Sequence, residues 1–81
     1  MDITLSRPLK TTAGEVTTLT MREPLVEDHL ASEEAAGPNA RDARVEATLF
    51  AMVCGVAPED IGRLPMKDYK KLQDAYRSFM S

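Results

Sequence analysis

Residues 40–54, "ARDARVEATLFAMVC", followed by Gly55, decide how this chain folds. Val45, Leu49, Met52, Val53 and Val56 recur at spacings of three and four, which is the repeat of a helix. Ala47, Phe50, Ala51 and Cys54 fill most of the remaining circumference. A helix apolar nearly all round has to be buried on several sides. This segment is therefore expected to be the central helix, ended by Gly55, with the rest of the chain arranged around it.

Toward the N-terminus, Gly37 and Pro38 stand in the order found just past a helix end, and Asn39 is expected to cap the central helix. Before them, "LVEDHLASEEAAG" reads as a short helix with Leu25, Val26 and Leu30 toward the core. Pro24 breaks what precedes it, because it pushes Glu23 away from helical geometry. Further upstream the period changes to two. Ile3, Leu5 and Leu9 share one parity of "DITLSRPL", and Leu19 and Met21 share one face of "EVTTLTMR". "KTTAG" lies between, with Gly14 for the positive φ of a turn. Residues 2–22 are thus a β-hairpin, with Pro8 suited to an edge without a partner. A lone hairpin is marginal in water, so its apolar face needs a cover.

Toward the C-terminus, "APEDIGRL" forms a compact link. Pro58 fits a first helical position, Glu59 and Asp60 favour that positive end, Gly62 closes the turn, and Ile61 and Leu64 plug the core. Pro65 opens a last helix whose stripe is Met66, Tyr69, Leu72, Tyr76, Phe79 and Met80, with Lys67, Lys70, Lys71, Asp74 and Arg77 elsewhere on it. The expected architecture is a single α+β domain over residues 1–81. Its N-terminal two-stranded antiparallel hairpin (2–22) packs on a bundle of three to four helices (25–80). With 81 residues the core is small, about 60% of the unfolded surface being buried at this size.

Charge and composition exclude several classes. The formal net charge is −3, whereas nucleic-acid binding needs clustered Lys and Arg. The charge is uneven: residues 23–46 carry a net of −5 and residues 63–77 a net of +3. This reads either as two solvated helix faces that attract each other weakly or as a basic stripe that meets an acidic partner. Cys54 is the single cysteine, so no internal disulfide forms, and it lies in an apolar run away from any basic group. The start "MDITLSRPL" lacks the basic and apolar regions of a signal peptide. The run "ATLFAMVCGVA" is far shorter than the roughly 20 residues of a membrane span.

Catalytic groupings do not assemble either. His29, the one histidine, shares a short helix with Asp28 and Ser32, and three groups so close on one helix cannot approach a substrate from separate directions. One His and one Cys do not make a metal site. Glu33, Glu34, Asp60 and Asp68 fall at helix starts or on exposed faces. No phosphate-cradling glycine motif is present. The expectation is a protein that is no enzyme and takes no cofactor or metal.

What remains is surface. Five methionines are many for this length, and Met66 and Met80 sit on the last helix, where soft side chains suit an irregular core and an adaptable binding face equally. Tyr76, Phe79 and Met80 end that helix where a small core cannot easily cover them, and uncovered aromatic ends anchor partner helices. The expected partner-binding residues are Met66, Tyr69, Lys70, Tyr76, Arg77, Phe79 and Met80. The hairpin edge and the helix end each also offer a surface for a homo-oligomer.

The order of motifs resembles the phage tail assembly chaperones of Mu-like and related contractile-tailed phages. The residues that carry the likeness are Leu5, Arg7, Pro8 and Leu9; Leu19, Met21, Arg22 and Pro24; Gly55; Ile61 and Leu64; and Asp68, Tyr69, Leu72 and Phe79. Met21 stands where the family pattern has a second leucine, and nothing carries over for residues 29–43. The resemblance implies a non-catalytic helper that binds the long, helical tape measure protein before the tail tube polymerises around it. It implies action in the host bacterial cytoplasm and absence from the mature virion. It also implies a longer frameshift product sharing the N-terminal part, with this chain as the short product. The alternatives are a structural tail subunit retained in the virion and a small antitoxin-like adaptor. An antitoxin would usually carry a basic DNA-binding half or a disordered neutralising tail, and neither is seen.

Overall fold

The computed structural model describes all 81 residues. Strands β1 (Asp2–Thr11) and β2 (Gly14–Thr20) form an antiparallel hairpin, followed by helices α1 (Val26–Ala36), α2 (Asp42–Cys54), α3 (Pro58–Gly62) and α4 (Met66–Met80). The fold is α+β, with principal extents of 33 × 28 × 20 Å. The period-two pattern of the hairpin is realised: Ile3, Leu5, Leu9 and Leu19 are buried, and Met21 just beyond β2 is wholly enclosed. Gly14 takes a φ of 127° at the turn, where Thr11 Oγ1 donates to its carbonyl. The ladder continues past β2, since Met1 and Met21 exchange backbone bonds, both of 2.8 Å.

The hairpin is not regular. Thr4 pairs with Thr18 and Leu9 pairs with Val16, so Leu5, Ser6, Arg7 and Pro8 together face the single residue Thr17. This wide bulge suits Pro8, which has no amide to offer the ladder. It also strips Ser6 of a strand partner. Asp68 supplies one: its carboxylate accepts the Ser6 amide at 3.0 and 3.2 Å and the Ser6 hydroxyl at 2.8 Å. Beside it, Lys71 Nζ donates to the Thr4 carbonyl at 2.8 Å. In this way α4 is fastened to β1.

α2 is the centre of the molecule. Thr48, Leu49, Phe50, Ala51 and Val53 are all buried, and the core assembles Phe50 with Met21, Leu72 and Ile61. The buried Thr48 hydroxyl is satisfied by the Arg44 carbonyl at 2.8 Å. Gly55 closes the helix in the left-handed region (φ 70°), and Val56 N–H bonds back to the Ala51 carbonyl. Arg22 N–H donates to the Val53 carbonyl, tying the hairpin's exit to the end of α2.

Two sequence expectations are corrected. Leu25, Val26 and Leu30 do not face the core; they are 51%, 78% and 57% exposed. α1 instead turns Asp28 and Ser32 inward. The cause is a polar anchor: Asp28 accepts both Arg22 guanidinium nitrogens at 2.7 Å and the Leu25 amide at 2.8 Å, and Ser32 Oγ donates to the His29 carbonyl. Next, Asn39 does not cap α2, which is preceded by Arg41 in extended conformation with no side-chain cap. Asp60 and Asp68 lie at helix starts as expected, and both are in addition fully buried. Asp60 accepts the Ala57 amide at 3.0 Å and Arg63 at 2.7 Å. No buried side-chain nitrogen or oxygen is left without a partner.

Candidate functional site

α4 carries the candidate surface, and its local sequence explains the orientation. Asp68, Leu72 and Ala75 are its buried line. At about 100° per residue, Met66, Tyr69, Lys70, Tyr76, Arg77 and Met80 fall together in an arc of about 120° on the flank and outer side. Phe79 falls on the inner line instead and packs against the core. Met66 and Met80, at opposite ends, are 78% and 68% exposed. Lys70 and Arg77 are exposed between them, and Tyr69 and Tyr76 are half-buried.

The two tyrosines hold the inner edge of the arc against α2. Their rings lie 5.5 and 5.7 Å from that of Phe50, tilted by 53° and 56°, a favourable arrangement for aromatic pairs. Glu46 on α2 accepts the Tyr69 hydroxyl at 2.7 Å and the Gln73 amide at 3.0 Å. Burial, and then the neighbouring Glu46 carboxylate, push the Tyr69 hydroxyl above its ordinary pKa, so it remains a donor. Neither Glu46 nor Gln73 was singled out from sequence; their spacing of 27 residues holds no local signal.

Two concavities border this seam. The larger, about 920 Å³, lies between the α1–α2 connection, the first half of α2 and the start of α4. Ala43, Ala47, Leu64, Met66 and Tyr69 form its apolar floor and wall, with Arg41 and Arg44 also lining it. The smaller, about 420 Å³, is framed by Glu46, Phe50, Gln73, Tyr76 and Arg77. Such a surface offers apolar contact with cations beside it, which suits a helix carrying apolar and acidic residues. It offers no cluster of three or more metal-ligating side chains. The half-buried Cys54 thiol is pushed up to about 11 by burial, so it is not an activated nucleophile. No helix is long and apolar enough to cross a membrane.

A second exposed apolar patch was missed from sequence. It is the outer face of α1, with Val26 and Leu30 one turn apart and Leu25 beside them. The signal was there in the acids flanking those residues, Glu27, Glu33 and Glu34, because a face ringed by charge is a face in water.

The family described as phage tail assembly chaperone proteins, E, or 41 or 14, matches residues 2–81. The chain belongs to this family. Among curated proteins and among solved structures, nothing matches. A tail assembly chaperone acts by contact with tail proteins.

Proposed function

We propose that this tail assembly chaperone binds the tape measure protein and shields its apolar helix surface until the tail tube assembles around it. One observation carries the reading: α4 leaves Met66 and Met80 in water at its two ends, with half-buried Tyr69 and Tyr76 between. A 15-residue helix is about 22 Å long, enough for roughly four turns of a partner helix to lie along it. Unbranched methionines adapt to varied apolar partners. Lys70 and Arg77 lie midway and set approach and register toward acidic flanks. Phe79, turned inward, supports the helix end from beneath. The chaperone acts by binding alone, in the host bacterial cytoplasm, and leaves before the virion is complete. A longer frameshift product of the same gene pair would share its N-terminal part.

Co-expression with the tape measure protein followed by pull-down tests this. Met66→Lys combined with Met80→Lys changes only exposed side chains, so folding is retained while capture falls at least about tenfold. Unchanged capture would remove α4 as the binding surface. Mass spectrometry of purified particles checks the second half, because a chaperone is absent there and a retained structural subunit is present.

A further inference from the structure

The two exposed apolar patches of this chain carry opposite charge. On the outer face of α1, Val26 and Leu30 are flanked by Glu27, Glu33 and Glu34, all exposed. On the outer side of α4, Met66, Lys70, Arg77 and Met80 are exposed within an arc of about 80°, with Gln73, half-buried and bonded to Glu46, between them. Lys70 makes no ion pair, and Arg77 has only the exposed Asp74 at 2.8 Å. Neither face can meet the other within one copy, because α1 lies against α2 with Asp28 and Ser32 turned inward and the patch turned out.

We infer that α1 of one copy docks on the α4 seam of a second copy. The two helices run antiparallel with Glu27 over Arg77 and Glu34 over Lys70, each pair seven residues apart, which sets Val26 beside Met80 and Leu30 over Gln73 at mid-seam. The 11 residues of α1 make the contact about 16 Å long, so it buries well under the roughly 1,200 Å² of a stable complex. Association is therefore weak, rises with concentration and is loosened by salt. The two faces differ, so each copy keeps one free for another and the contact is heterologous. The inference needs no client protein, and it stands or falls separately from the reading of the tape measure as partner.

Sedimentation of the purified chain tests it. At about 0.5 mM the wild type is expected to show reversible species larger than a monomer, weakened about tenfold between roughly 50 and 500 mM salt. Leu30→Lys with Glu34→Lys blocks the α1 face, and Lys70→Glu with Arg77→Glu blocks the α4 face. All four positions are exposed. Each double variant alone should be monomeric. Mixed, they should form a 1:1 pair, since one retains α4 and the other α1. A monomeric wild type, undiminished self-association of either variant, or no complex in the mixture overturns the inference. So does a wild type whose association ignores both pairs of substitutions because another surface carries it.

Discussion

Helices α1 and α4 each place an aspartate at their third position, yet α4 turns Leu72 and Ala75 to the core while α1 turns Asp28 and Ser32 there and leaves Leu25, Val26 and Leu30 in water. The difference begins at the residue before each helix. Leu25 has an amide, and Asp28 folds back to accept it, taking Arg22 as well. Pro65 has none, so Asp68 has no such amide to accept and reaches across the interior to Ser6 in the bulge of β1. α1 is thus held chiefly by polar anchors at one end, and α4 by apolar burial plus a carboxylate that reaches another element. An amphipathic pattern shows which residues are apolar, while the anchor decides which side is in.

The sharpest way to break this contrast is to truncate one leucine in each helix. Leu72→Ala, at a fully enclosed site, is expected to cost ~2–5 kcal/mol in urea unfolding. Leu30→Ala should stay within about 0.5 kcal/mol. Equal losses would mean that α1 buries its leucine in solution. A smaller effect attends Asp68→Ala, which leaves the Ser6 amide without its acceptor at a cost of ~1–3 kcal/mol. Amide exchange should then quicken in residues 4–9 and leave α1 unchanged.

The pH dependence of α1 sharpens the comparison further. The Arg22 hydrogen bonds, together with the Leu25 amide, lower the Asp28 carboxyl to about 2, so its contribution is complete above the ordinary carboxylate range and is lost as pH falls toward 2. The stability gap between wild type and Asp28→Asn should therefore close on acidification from about 4 to about 2. A gap that stays constant over that window would remove the pair as α1's anchor. Asp68 is also lowered: burial works against ionisation there, but the Ser6 hydroxyl and amide and Lys71 outweigh it. Subtracting the Asp28→Asn curve separates the two groups.

The hairpin and the central helix were legible because their evidence is local. Alternation of Ile3, Leu5 and Leu9 survives the bulge, and the run from Ala47 to Val53 leaves little polar side to expose. The inward turn of Asp28, Asp60 and Asp68 was not legible as burial. Each acid stands where a helix start invites one, and a carboxylate at a helix start reads as solvated unless its donors are known. The Ser6 amide is a donor only because β1 bulges, and no periodicity announces a bulge. Of the α4 surface, the exposed arc could be read from spacing. The Glu46 clamp on Tyr69 and Gln73 could not, since it depends on how two helices lie together.

The bond between Asp68 and Ser6 spans 62 positions of the chain. A ribosome adding ~5–20 residues per second makes the first strand roughly 3 to 12 seconds before its acceptor exists. Throughout that interval only water can satisfy the Ser6 amide, and the leucine row has no cover from α4. The newborn chain completes its first element only when its last one arrives, and a change of reading frame before codon 68 would remove Asp68 as the bolt.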